Sequence, residues 1–467
     1  MHFLRTLLAW RWLILGLLLG VTLLLLPTPQ GLTSAGQRTL AIAAVAALFF
    51  ITEPFPLPAV ALLIAAFQVL LGLGSGNEVA RSFMGDSVFF IMGSLMISVA
   101  LVKQRLDRRI AYAILRMTGP HLLRILFGFT ATSALLASLI GEHTVAAMML
   151  PVALAILHQA RKDEPHLPNL TALLLFSVAY GAMIAGIGTP SGGARNAIMV
   201  DYWQKQAGVQ VSYLDWIAHA YPLVLLQIPV LIAVLWWTFP PELKDLRRAL
   251  VRLRQEVHGG GRLTGTDLQV IGVFLLTMLG WIALSGQWGL GTIAIMGAAL
   301  YLALGLVRWE DLNNGMNWGV VLLYASAISL GVQMKQSGAA DWLAQNFLSA
   351  LSVLHLDQGI ALWIAWSLLT VVVAHTMSAG ASVAMLGPIA LHVADLSGTS
   401  VVTIGFITAI GSAFSYMMTV VAPSASIVYS SGLLAARDFW KAGSRMVVAS
   451  LLILWLVASL YWPLLGG

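Results

Sequence analysis

One apolar stretch occurs twice. Residues 139–151 read LIGEHTVAAMMLP and residues 373–388 read VAHTMSAGASVAMLGP. Setting Pro151 against Pro388 puts Ala147-Met148 on Ala384-Met385, and Gly141-Glu142-His143 on Ser378-Ala379-Gly380. After each copy comes a long apolar segment broken by small residues and proline: IAGIGTPSGGARNAIM at 184–199 and MMTVVAPSASIVYSSG at 417–432. Paired, interrupted hydrophobic segments at matching places in two halves are the best pointer a sequence offers to a transporter's binding site.

Such segments have this meaning only in a bilayer. With 59% hydrophobic and 9% charged residues and a mean hydropathy of +0.88, the chain is far more apolar than a soluble domain. Apolar runs of about 20 residues recur from end to end, which implies an all-α polytopic membrane protein with one continuous membrane domain. The absence of cysteine excludes disulfides, thiolate metal sites and a cysteine nucleophile. The basic start at Arg5 and Arg11, followed by an apolar core over 12–26 without a small-residue cleavage site, reads as a retained first span.

The spans fall at roughly 8–27, 38–53, 57–73, 86–103, 170–202, 216–238, 269–286, 288–306, 318–336, 401–434 and 444–463, or about 11 transmembrane helices. Two apolar stretches remain, near 122–158 and 357–396, each with the repeated motif at its middle. Their tips are poor material for an uninterrupted lipid-facing helix, so two re-entrant helical hairpins are expected. Neighbouring protein or a water-filled cavity must then satisfy the backbone groups at each tip. With the N-terminus in the cytoplasm, this topology gathers most of the 25 Lys and Arg residues inside, among them Lys103, Arg105, Arg108, Arg109, Arg116, Arg124, Arg161, Lys162, Lys244, Arg247, Arg248, Arg437, Lys441 and Arg445. Cytoplasmic loops carry that excess in an inner-membrane protein. Topology therefore accounts for the net charge of +6, and no nucleic-acid partner is needed.

Each half contains in turn a span, an amphipathic connector (103–116; 335–347), a hairpin, a broken span and a closing span. An odd number of spans separates the hairpins, so the units are expected in opposite orientation, as an inverted repeat about an axis in the membrane plane. The expected division is an N-terminal span at 1–37, a first repeat at 38–238, a basic cytoplasmic linker at 239–267 and a second repeat at 268–467.

Broken spans expose helix ends at mid-membrane, where unpaired N–H groups and a partial positive charge attract anions, and freed carbonyls can hold a cation. Gly186, Gly188, Gly192 and Gly193 are expected to let the first break approach a ligand closely, while Pro190 ends the helix. Thr189, Ser191, Asn196, Ser378, Ser382, Ser424 and Ser426 supply hydroxyls and an amide suited to carboxylate or sulfate oxygens. Small and hydroxyl residues also line ordinary helix contacts, so each of these has a packing reading as well. Arg195 lies deep in an apolar segment, where a charge costs at least ~2.5 kcal/mol. It could bind an anion, pair with Glu142, or snorkel from a shorter helix. Glu142 and His143 at the first tip could couple protons or brace the tip as a structural pair. His375, before the second tip, is a further proton candidate or a packing histidine. Trp236-Trp237 and Tyr461-Trp462 read as interfacial aromatics. No H-E-x-x-H or similar catalytic spacing is present, which argues against a membrane enzyme.

Three stretches resemble the divalent anion/sodium symporter family, whose members carry dicarboxylates, citrate or sulfate. ITEPFPLPAVALL (51–63) is similar to its W-x-T-E-x-x-P-L segment, AAMMLPVALAIL (146–157) to the helix leaving its first hairpin, and GIGTPSGGARN (186–196) to its G-T-P-P-N break. The likeness runs from Thr39 to Trp462. It implies an elevator-type protein with a dimerising scaffold and a sliding transport domain. It also implies a substrate site of Gly141, Glu142, His143, Thr144, Thr189, Pro190, Ser191, Gly192, Gly193, Arg195, Asn196, Ser378, Ala379, Gly380, Ser382, Pro423, Ser424 and Ser426, with sodium, if used, near Gly141, Gly188, Ser378 and Ala422. The family's two Ser-Asn-Thr tips are absent: Gly141-Glu142-His143 and Ser378-Ala379-Gly380 stand there. The site's location therefore carries over, while sodium coupling and dicarboxylate preference do not. The expectation is an inner-membrane secondary transporter of a small anion, driven by sodium, protons or anion exchange. The alternative is a cation/proton antiporter using Glu142.

Overall fold

The computed structural model describes residues 2–103, 118–256, 264–419 and 421–465. Among these there is no strand, only an isolated bridge between His121 and Asp245. Ten helices among the described residues are long and apolar enough to cross a membrane, and shorter apolar helices lie at Arg11–Leu25, Leu57–Leu70, Leu290–Ala303, Gly359–Ala374 and Val401–Gly411. This is a multi-pass, all-α membrane protein.

The helices stop where glycine, proline and small residues interrupt the apolar pattern. Leu122–Ile140 ends at Gly141 and Glu142–Arg161 begins at once, while Gly359–Ala374 and Ala379–Ser397 are separated by residues 375–378. Pro168–Ala185 gives way to Ala194–Tyr202, and Val401–Gly411 to Pro423–Tyr429. Each arm of the first hairpin has 19 or 20 residues, about 30 Å at 1.5 Å per residue, which is enough to cross a bilayer by length alone. At the tip between them Gly141 is buried, Glu142 half-buried and His143 exposed.

The two halves present their elements in one order. A short helix (Gly76–Phe83; Trp309–Gly315) precedes a span (Asp86–Lys103; Trp318–Gln336), then a hairpin, a broken helix and a long closing helix (Tyr213–Thr238; Ala436–Leu460). The halves interlock. Asp86–Lys103 lies along Leu290–Ala303 so closely that a methyl group on Gly93 would come within 2.6 Å of Ala294, and Trp318–Gln336 lies along Leu57–Leu70. Small residues at such crossings are how helices associate without a hydrophobic driving force between them. Pro168–Ala185 is buried from Leu170 to Ala185, as a helix apolar on all faces should be. Its Tyr180 hydroxyl donates to the Tyr416 carbonyl at 2.8 Å and so ties the first broken helix to the second break.

Two expectations change in the folded chain. Residues 239–267 read as a linker, yet their beginning is docked. Leu122 N–H donates to the Lys244 carbonyl (3.0 Å), Leu246 N–H donates to Pro120 (2.9 Å), and Glu242 accepts from the first N–H groups of Pro168–Ala185. Leu246, Ala249 and Leu250 are buried, an i, i+3, i+4 stripe that the surrounding charges concealed. Trp462, expected at the lipid interface, turns inward. It is 2% exposed, packs on Phe406, and donates its indole N–H to the His219 carbonyl at 3.0 Å. Trp237 does face outward, under the Arg445 guanidinium. Residues 104–116 of the first amphipathic connector, 257–263 of the linker, and Val420 in the second break lie outside the described residues.

Candidate functional site

All four interruptions meet around one cavity of about 230 Å³. From the first hairpin it is lined by Ile140, Gly141, Glu142 and His143, and from the first broken helix by residues 190–195. The second tip contributes Ser378, Ala379 and Gly380, and the second break contributes Ala413, Ser415, Val421, Ala422 and Pro423. Asp86–Lys103 and Trp318–Gln336 close the remaining side with Phe90, Ile91, Ser94, Leu95, Val320 and Tyr324, together with Asn317 at the start of the latter helix.

The first tip turns on Gly141, at φ 86° and ψ 149°, a backbone state that side-chain-bearing residues adopt only with strain. Glu142 and His143 follow as the first residues of a 20-residue helix, so its N-terminal end opens on the cavity with both side chains beside it. Thr144 turns away from the cavity and meets Ser98 in a buried hydroxyl pair at 2.7 Å, which pins the hairpin to Asp86–Lys103.

The first break is built around Arg195. Its side chain is 4% exposed, with Nη1 3.9 Å from Glu142 Oε1, while Nε and Nη2 have no hydrogen-bond partner in the protein. Glycines make room for the guanidinium. A Cβ on Gly186 would sit 2.7 Å from Nη2, and one on Gly193 would sit 3.1 Å from Nη1. Three of the glycines expected to approach a ligand therefore have another use: Gly186 and Gly193 flank Arg195, and Gly192 packs against the Gly186 carbonyl. Gly188 lies off the cavity, against Ser138 and the Tyr221 ring. Thr189 donates to the Ser138 carbonyl and accepts from Gly192 N–H, and Asn196 donates to the carbonyls of Gly186 (2.8 Å) and Thr189 (2.7 Å). These two residues hold the loop's shape from behind. Ser191 lines the cavity and bonds the Tyr213 hydroxyl at 2.8 Å.

At the second tip, Ser378 caps Ala379–Ser397 by accepting from Ala381 N–H, and Ser382 donates back to the Ser378 carbonyl at 3.0 Å. Gly380 presses on the Tyr324 ring: a Cβ there would be 2.0 Å from it. Ser426 donates to the Thr419 carbonyl (3.1 Å), and Ser424 is fully buried with its hydroxyl unpartnered in the protein. His375 Nδ1 lies 2.7 Å from the Val371 carbonyl, one turn back in its own helix. None of Thr144, Thr189, Asn196, Ser382, Ser424, Ser426 and His375 lines the cavity, whereas Gly141, Glu142, His143, residues 190–193, Arg195, Ser378, Ala379, Gly380, Ala422 and Pro423 do.

Sequence reasoning overlooked Ser94, Asn317, Tyr324 and Ser415 on the cavity wall. Ser94 and Tyr324 are polar residues within largely apolar spans, and that was their one available signal.

Electrostatically the cavity favours anions. Glu142–Arg161, Ala194–Tyr202 and Ala379–Ser397 all begin on it, each bringing roughly half a positive charge at its N-terminus. Arg195 adds a full charge, with its Nε and Nη2 unpartnered in the protein. The volume is below the roughly 300–1,000 Å³ of sites for drug-sized ligands and suits a small one.

Comparison with known proteins agrees with this picture. The family model described as the sodium:sulfate symporter transmembrane region matches residues 7–467. An uncharacterized transporter of Haemophilus influenzae is 26% identical over 438 residues, covering 91% of each chain. The sodium-dependent dicarboxylate transporter SdcS of Staphylococcus aureus is 26% identical over 484 residues, covering 97% of this chain and 91% of the relative. Among solved structures, the Alcanivorax borkumensis YdaH transporter has a TM-score of 0.57 at 13% identity, covering 85% of this chain and 89% of that one. MtrF of Neisseria gonorrhoeae, from a class of antimetabolite efflux pumps, has a TM-score of 0.58 at 10% identity, covering 97% and 94%. These last two likenesses concern the fold alone.

Proposed function

The chain belongs to the sodium:sulfate symporter family, and on that premise we propose that it carries a small dicarboxylate or sulfate-like oxyanion across the inner membrane by secondary active transport. The family is one of anion transporters and not of enzymes. The observation that carries the reading is Arg195, a buried guanidinium with two unpartnered donors on a cavity where three helix N-termini converge. A carboxylate or sulfate oxygen is the group whose charge and lone pairs match that donor set.

The matching helix order of the two halves supports an inverted repeat, with residues 38–238 and 268–467 as its units. The burial of Gly141 and Gly380, with both tips on one cavity, supports re-entrant hairpins, and the basic loops support a cytoplasmic N-terminus. An elevator movement of the hairpins and broken helices against a dimeric scaffold follows from the family resemblance. Two coupling ions fit. Sodium, on which the Staphylococcus aureus relative depends, would take carbonyls at the breaks; of its four candidate positions Gly141, Ser378 and Ala422 line the cavity. The proton would use Glu142. A cation/proton antiporter carrying its cation on Glu142 is disfavoured, because Arg195 puts a fixed positive charge 3.9 Å from that carboxylate.

Purified protein in proteoliposomes, tested for uptake and counterflow of labelled succinate and sulfate under sodium, proton or counter-anion gradients, decides the matter. Saturable movement of either anion is the expected outcome, and movement of neither under any gradient refutes the reading.

A further inference from the structure

Glu142 and Arg195 face each other without closing. At 3.9 Å they are beyond hydrogen-bonding reach, whereas a bidentate arginine–carboxylate pair sits at roughly 2.7–2.9 Å. Glu142 stands over Gly186 in the same space as the guanidinium, since the missing Gly186 Cβ would lie 2.7 Å from Arg195 Nη2 and 3.4 Å from Glu142 Oε2. An anion that docks on Arg195 from the cavity therefore arrives beside a carboxylate that already faces the guanidinium. Two negative groups cannot share one buried guanidinium cheaply.

We propose that Glu142 takes up a proton as the substrate anion replaces it on Arg195, so that a proton crosses the membrane with the anion. One carboxylate oxygen gains one proton from the side the anion enters, while Arg195 stays charged and no bond of the anion changes. On the far side the anion leaves, the proton follows, and the carboxylate returns to the guanidinium. This rests on the anion reading above and names its co-substrate.

The surroundings leave Glu142 as the group for the task. Arg195 faces it from Ala194–Tyr202, His143 adjoins it on its own helix, and Tyr324 on Trp318–Gln336 and Tyr416 in the second break lie within its electrostatic reach. Leu122–Ile140, Pro168–Ala185 and Pro423–Tyr429, which pack on the same helix, contribute no acidic residue, and their one charge, Arg124, lies at the opposite end of its helix; the charged Arg247–Glu256 packs on it too, from that far end, where Leu246 N–H donates to the Pro120 carbonyl. Among the described residues lining the cavity, Glu142 is the only carboxylate.

The test uses the full chain in sodium-free proteoliposomes that contain a trapped pH dye, with labelled succinate and labelled sulfate as probes. For each protein the readout is the ratio of uptake with an inward proton gradient to uptake without one. Wild type should show a ratio well above unity and acidify its lumen as the anion enters. Glu142→Gln should bring the ratio to unity and abolish the acidification, whatever its absolute rate. Glu142→Asp should keep a gradient response with its half-maximal pH displaced, a change that a merely structural brace would not produce. If Glu142→Gln does not fold, the aspartate variant decides, and an unmoved pH profile overturns the proposal. A wild-type ratio of unity with intact counterflow overturns it too, as does gradient-driven uptake in Glu142→Gln. Absence of counterflow that sodium restores overturns this inference alone, whereas absence of counterflow for both anions with sodium present as well refutes the anion reading itself, and this inference with it.

Discussion

Replacing Gly186 by alanine isolates the role of Arg195 without touching its charge. Gly186 has φ −58° and ψ −15°, so alanine meets no backbone strain there and the whole effect is steric. The new methyl would lie 2.7 Å from Arg195 Nη2 and 3.3 Å from the Gly192 carbonyl. Ordinary contact begins near 3.4 Å, so the guanidinium must retreat by roughly 0.7 Å. Gly193, whose own Cβ would be 3.1 Å from Nη1, bounds it on another side, and the retreat is therefore into the cavity. Overpacking of this size costs about 1–3 kcal/mol. If half of that falls on the anion complex, the dissociation constant rises roughly two- to twelvefold. Calorimetric titration of detergent-purified protein with succinate and sulfate, beside a thermal melt, measures both parts. Gly181→Ala is the control: on the same helix, its methyl would press on Thr130 at 3.1 Å, away from the cavity. It should lower the melting temperature and leave binding alone. Equal weakening of binding in both variants, or unchanged binding in Gly186→Ala, refutes the assignment of the guanidinium to the anion.

Three further outcomes are expected. Ser98→Ala strands the buried Thr144 hydroxyl, 2.7 Å away, and should destabilise by about 1–3 kcal/mol, whereas Ser98→Ala with Thr144→Val should melt closer to wild type; a double variant worse than the single removes the pair from the account. Asp86 accepts from the N–H groups of Gly291 (3.1 Å) and Thr292 (3.2 Å) at the start of Leu290–Ala303, so Asp86→Ala should lose about 0.5–2 kcal/mol in a denaturation curve and Asp86→Asn less. The Asp311 carboxyl is held below its usual range, first by the Lys103 ammonium and then by the Arg308 backbone N–H. Its stabilisation is therefore present above the ordinary aspartate value of about 3.9 and is lost as pH falls through the lower folded-state value. Asp311→Asn should melt below wild type at neutral pH and converge with it in acid, and a gap that persists in acid contradicts the assignment.

The class of protein and the places where its helices break were legible in the residues, because both depend on short-range physics. Span-length apolar runs admit only a membrane, proline and paired glycines end helices wherever they stand, and Gly141 supplies the one residue type that suits a left-handed turn. The prominence of Arg195 and Glu142 followed likewise from the cost of placing charge in apolar surroundings. The division of labour inside the breaks came only from packing. Thr189 and Asn196 look as ligand-ready as Ser191, yet they brace the loop from behind. Two of the glycines read as ligand clearance instead house a guanidinium. Tyr324 reaches the cavity because Gly380, distant in sequence, leaves it room, and Trp462 turns inward because the His219 carbonyl awaits its indole. A hydroxyl or a ring faces whichever element the tertiary fold sets beside it, and nearest-neighbour patterns hold no record of that element.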